Sequence, residues 1–92
     1  MPRIRQNEER DTLRDLEAEI RAQRARHGLE TSELFGEAIG VCPKTAWSYG
    51  KDPGQVRLSS MRKIVKAIHP DPVVVLKALG YTGQEIRRIS TN

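Results

Sequence analysis

In the stretch "GVCPKTAWSYGKDP", residues 40 to 53, Lys44, Trp47, Ser48 and Lys51 recur at intervals of three and four. On a helix that spacing gathers side chains on one face. Such a face offers two ammonium groups, a hydroxyl that donates or accepts, and an indole with one N–H. This is chemistry for gripping an anionic, partly flat surface rather than for making or breaking covalent bonds. Trp47 and Tyr49, two of the chain's four aromatic residues, lie two positions apart. On a helix they point about 200° away from each other, so one faces inward and the other outward.

The rest of the chain holds no alternative chemistry. Cys42 is the only cysteine; it has no histidine or acidic partner in sequence and reads as no nucleophile. His27 and His69 stand singly at helix ends and read as structural or solvated. No metal-ligand spacing and no glycine-rich phosphate loop is present, so no catalytic residue, metal or cofactor is expected. A lone cysteine excludes an internal disulfide and fits a reducing cytoplasm. No apolar run approaches the roughly 20 residues of a membrane span, and the N-terminus lacks the apolar segment of a secretory signal. A cytoplasmic location is expected.

Charge supports a polyanion as partner through its distribution. The 92 residues carry a net charge of +4. Residues 1 to 30 hold seven arginines and seven acids, which cancel. Between Lys44 and Lys66 there are six basic residues (Lys44, Lys51, Arg57, Arg62, Lys63 and Lys66) against one acid, Asp52. A one-sided field of this kind favours a polyanion.

The elements that must position these groups are helical throughout, in one domain over residues 1–92. Asn7 is expected to cap a first helix, with Leu13, Leu16 and Ile20 as its apolar stripe and Gly28 as its stop. Thr31 or Ser32 caps a second, whose apolar positions are Leu34, Phe35, Ala38 and Ile39 and which ends at Gly40. Pro43 opens a short third helix, about residues 43–49, stopped by Gly50. A turn-rich loop over 51–57 leads to a fourth helix with Leu58, Met61, Ile64, Val65 and Ile68 buried and Lys63 and Lys66 off the stripe. His69-Pro70 breaks it. Asp71 caps a fifth, closed by Gly80. Thr82 to Glu85 forms a capping box for a sixth, with Tyr81 and Ile86 at hydrophobic-staple spacing.

Phe35, Ile39 and Val41 make an apolar set leading into the turn at Gly40, and Gly36 lets a second helix cross closely. A helix beginning at Pro43 and crossing there packs Ala46 and Tyr49 inward, which leaves Trp47 outside beside Lys44, Ser48 and Lys51. "SELFGEAIGVCPKTAWSYGK", Ser32 to Lys51, resembles the helix-turn-helix of lambda-repressor/Cro-type (XRE-like) DNA-binding proteins. The matching features are Gly36 midway through the first helix, Ile39-Gly40-Val41 at the turn, and Ala46 and Tyr49 as the buried positions of the second. "KDPGQVRLSSMRKIVKAI" resembles the loop and fourth helix of small phage and prophage members. The sequence departs from the family in placing Cys42 where a Ser or Thr cap is usual and Arg57 where the fourth helix usually has a polar cap.

The resemblance implies an all-α, five- to six-helix, lambda-repressor-like helix-turn-helix domain. It further implies a sequence-specific regulator that binds double-stranded DNA, a repressor of phage or mobile-element type. Pro43, Lys44, Trp47 and Ser48 would meet base edges in the major groove, and Ser32, Lys51, Arg57 and Arg62 the backbone. Arg3 and Arg5 in the N-terminal tail would reach a minor groove. Such modules pair across palindromes, so a homodimer is expected. Residues 71–92, with Val73, Val74, Leu76, Tyr81, Ile86 and Ile89, are the expected association segment. The alternative is a module of the same shape that binds a protein, as an antitoxin or a phage-encoded inhibitor of a host protein does; the exposed indole would then anchor the partner.

Overall fold

The structure, a computed structural model, describes the backbone of residues 2–91 and the side chains of residues 9–89. Six α-helices follow one another: α1 (Pro2–Arg26), α2 (Ser32–Ile39), α3 (Pro43–Lys51), α4 (Leu58–Ile68), α5 (Pro72–Ala78) and α6 (Gly83–Thr91). One 3-10 turn, Pro53–Gln55, lies between α3 and α4, and there is no strand among the described residues. No helix among them is long and apolar enough to cross a membrane.

Short-range chemistry sets most boundaries. Gly28 adopts φ +70°, a left-handed conformation that only glycine takes up without strain. The chain there reverses so that the Leu29 N–H bonds to the Arg24 carbonyl at 2.7 Å, closing α1 and turning Leu29 onto the core. Thr31, not Ser32, caps α2, its hydroxyl accepting from the Leu34 N–H at 3.2 Å. Asp71 caps α5 by accepting from the Val73 N–H at 2.9 Å. The capping box before α6 is reciprocal. The Thr82 N–H donates to Glu85 Oε1 at 3.0 Å, and the Glu85 N–H to the Thr82 hydroxyl at 3.2 Å.

Two boundaries and one burial differ from expectation. α1 begins at Pro2, not near Asn7; proline suits a first helical position, and Arg3 to Gln6 are residues a helix accepts. The expected tail with Arg3 and Arg5 is thus helical backbone, and those side chains lie outside the described residues. α3 runs through Gly50 to Lys51. Its stop is Pro53, which drives Asp52 out of the helical region to φ −139°, ψ 75°. Leu58, placed in the buried stripe of α4, is 75% exposed. Side chains on a helix lean toward its N-terminus, so a first-turn leucine overhangs the end of the element instead of facing the core.

The core gathers Leu16 and Ile20 of α1, Phe35 and Ile39 of α2, Ala46 of α3, and Ile64 and Ile68 of α4. Each large side chain among them contributes about 1.5–3 kcal/mol by leaving water. α5 lies along α1, where the Glu19 carboxylate accepts from the Asp71 N–H at 2.7 Å. Arg24 is a structural clamp between α1 and α2. Its guanidinium stacks 4.3 Å from the Phe35 ring centre and donates to the carbonyls of Leu29 and Glu30, both at 3.0 Å. Burial, with the nearby Arg21 charge second, lowers its pKa.

Two outcomes are expected from this framework. A Cβ on Gly36 would sit 2.6 Å from the Val41 carbonyl oxygen, whereas one on Gly83 meets nothing within 4 Å. Gly36→Ala should therefore lower unfolding stability by about 1–3 kcal/mol. Gly83→Ala should leave it unchanged or slightly raised; urea denaturation checks both. The second outcome concerns pH. Hydrogen bonds from the Thr82 backbone and then its hydroxyl hold the Glu85 carboxyl below its ordinary value of 4.5. A depressed carboxyl pKa stabilises the fold above that ordinary value and loses its effect as pH falls through the lower folded value. The protection of the Thr82 amide relative to its intrinsic exchange rate should fall over that acid range in the native sequence, and Glu85→Gln should flatten the response.

Candidate nucleic-acid interface

The candidate face is built from the crossing of α2 and α3. After Gly40 turns the chain at φ +77°, the Val41 N–H returns to the Gly36 carbonyl at 2.8 Å. α3 then passes so close to α2 that the space a side chain on Gly36 would need is taken by the Val41 carbonyl. Ala46 Cβ lies 3.4 Å from where that side chain would begin. Ala46 is fully buried at this contact. Tyr49, one turn later, is half-buried against the core and donates its hydroxyl proton to Ser60 Oγ at 3.2 Å, tying α3 to α4.

With Ala46 and Tyr49 turned inward, helical periodicity turns Trp47 outward. It is 57% exposed. Pro43, Lys44, Ser48 and Lys51 are exposed with it. The Lys51 ammonium lies 5.8 Å from the Trp47 ring centre, within cation–π range, so the indole and one cation form a single outward unit. Arg57 and Arg62 are exposed on and just before α4, as are Lys63 and Lys66.

The start of α3 is loosely fixed. Cys42 occupies its N-cap without a side-chain bond to the backbone N–H groups, and its Sγ instead lies 3.1 Å from the Thr45 hydroxyl. That hydroxyl is the largest influence holding the exposed thiol below its ordinary pKa. Ser32 is the first residue of α2 and is half-buried. Glu33 follows it in the first turn of α2 and already places a negative charge at the positive end of the helix dipole. A phosphate approaching Ser32 would meet that carboxylate, which makes Ser32 the weakest of the expected backbone contacts.

At the C-terminal end the six expected association residues separate into two groups. Val73, Tyr81 and Ile89 are exposed. Val74 is half-buried against the core, Leu76 is half-buried, and Ile86 is only 6% exposed. Ile86 is consumed by the chain's own packing. That removes it from the association surface. Leu79, unremarked in the sequence, is exposed and belongs with the outer group. It is the C-cap of α5, just past the last helical residue Ala78. Among the described residues no group of three or more His, Cys, Asp or Glu side chains is placed to hold a metal ion.

Two substitutions separate the roles of the paired rings. Trp47→Ala should leave stability within about 0.5 kcal/mol of the native value, because its ring is outside the packing. Tyr49→Ala should cost about 2 kcal/mol or more through the lost ring contacts and the Ser60 hydroxyl left without its partner. Thermal and urea unfolding of the two variants provide the comparison.

No family model, no curated protein and no solved structure matches this chain.

Proposed function

We propose that the chain is a lambda-repressor/Cro-like helix-turn-helix protein that binds double-stranded DNA as a sequence-specific regulator. In this reading it acts as a homodimeric repressor of phage or mobile-element type, in the cytoplasm, without enzymatic activity. The observation that carries the reading is the outward presentation of Trp47 with Lys44, Ser48 and Lys51 from α3, held from behind by Ala46 and Tyr49. An α-helix fits the major groove of B-DNA, and its N-terminal residues reach base edges. Lys44 donates to guanine O6 or N7, Ser48 donates or accepts at several bases, and Trp47 packs on thymine methyl or sugar. Pro43 completes the apolar part of that contact. Lys51, Arg57 and Arg62 neutralise backbone phosphates and set affinity rather than sequence. Two copies joined through Val73, Leu79, Tyr81 and Ile89 would read the two halves of a palindrome.

One observation favours a second reading. A large, mainly apolar ring more than half exposed is also what anchors a protein–protein contact, so the same face would serve an antitoxin or an inhibitor of a host protein. Salt separates the two. Phosphate contacts release counterions, and affinity for DNA should fall steeply between about 50 and 200 mM salt. A contact centred on an indole should weaken little over that range.

Selection from a random duplex pool, followed by binding assays at several salt concentrations, should yield a palindromic consensus. Lys44→Ala should cost about 1–3 kcal/mol on that consensus and relax one base position, whereas Arg62→Ala should weaken all sequences alike and flatten the salt slope. Absence of any enriched sequence, together with a tight salt-insensitive protein partner, would establish the second reading instead.

A further inference from the structure

The fold brings together two histidines that are 42 positions apart in the chain. His27 follows the last turn of α1 and His69 caps α4, and their ring centres lie 6.3 Å apart with the planes inclined by 45°. Both residues are exposed. Neither belongs to the face assigned to DNA.

Three features prepare the pair for a ligand. His27 Nδ1 lies 2.8 Å from the Gln23 carbonyl oxygen. A carbonyl only accepts, so Nδ1 carries the proton and Nε2 keeps its lone pair free; metal-bound imidazoles are commonly oriented by this same backbone bond. His69 holds φ +49° and is the only non-glycine residue with positive φ among those described. Asparagine or glycine is favoured at such a helix end, so a histidine there is held against its backbone preference. Finally, both rings stand at helix C-termini, whose unpaired carbonyls favour a cation.

The spacing fits one shared ion. With metal–nitrogen bonds of about 2.0–2.1 Å, two imidazoles on a single ion have ring centres about 5.2 Å apart at a tetrahedral angle, and at most about 6.4 Å apart when opposite. The observed 6.3 Å lies inside that limit, so one ion can bridge the rings without movement of the backbone. Imidazole nitrogen selects zinc, copper or nickel over magnesium or calcium, which prefer oxygen.

We propose that His27 and His69 form a two-imidazole site for a divalent transition ion, of the class of Zn2+ or Cu2+, with water completing the coordination. The bound ion joins the C-terminal end of α1 to that of α4 and stabilises the folded state in proportion to its occupancy.

Calorimetric titration of the full chain with Zn2+, Cu2+ and Mg2+, with melting curves in parallel, tests this. Cys42 is an exposed thiol and a competing ligand, so the Cys42→Ser variant is titrated alongside. One Zn2+ or Cu2+ per chain should bind and raise the melting temperature, with no response to Mg2+, and Cys42→Ser should behave as the native sequence does. His27→Gln retains an amide donor for the Gln23 carbonyl, and His69→Asn retains a residue suited to the left-handed turn; each should weaken binding at least tenfold while leaving the metal-free melting curve in place. Unchanged affinity in either histidine variant would overturn the proposal, as would loss of binding in Cys42→Ser or the absence of any Zn2+ or Cu2+ binding.

Discussion

The approach of α3 to α2 over Gly36 is the constraint from which the rest of the surface follows. At that crossing the Val41 carbonyl and Ala46 Cβ occupy the volume where any larger residue would place its side chain. The angle and depth of α3 are thereby set by contact with backbone, which yields little. Once Ala46 is fixed against α2, the 3.6-residue repeat leaves no freedom about which residues look outward. Trp47 cannot turn in without Ala46 and Tyr49 turning out, and the hydroxyl bond from Tyr49 to Ser60 resists that rotation from the α4 side.

Arg24 extends the same constraint to α1. It covers the Phe35 ring, closes the α1–α2 connection by binding two carbonyls, and lies close enough to α3 that a Cβ on Gly50 would come within 3.0 Å of its Nη1. Gly50 thus gives space to a guanidinium rather than ending a helix.

Legibility in the sequence followed the range of the interactions involved. Caps and stops resting on a few adjacent residues were readable: Gly28, Gly40, Asp71, and the Thr82–Glu85 box all act where their residue types predict. So was the inward pairing of Ala46 with Tyr49, because Gly36 and the turn at Gly40 carry the crossing in their own chemistry. What could not be read depended on contacts between distant segments. Arg24 looks like any other arginine at a helix end until Phe35 is beneath it. Leu58 matches the α4 stripe by spacing, yet stays exposed on the rim of a groove that Leu13, Val75 and Leu79 also line. The two histidines each looked solitary because nothing local records that the ends of α1 and α4 converge. Gly50 was misleading in the opposite sense, a residue type associated with stops placed for close approach.

The C-terminal helix is attached differently from the others. α6 packs chiefly on α5, with Ile86 as its buried anchor, while α5 itself is pinned to α1 through Val74, Val75 and the Glu19 bond to Asp71. Elements held by one small contact open locally at lower free energy than those in the core. The α5–α6 joint is therefore the compliant part of the fold, and α6 can swing about Ile86 while the packed body of α1 to α4 keeps its shape.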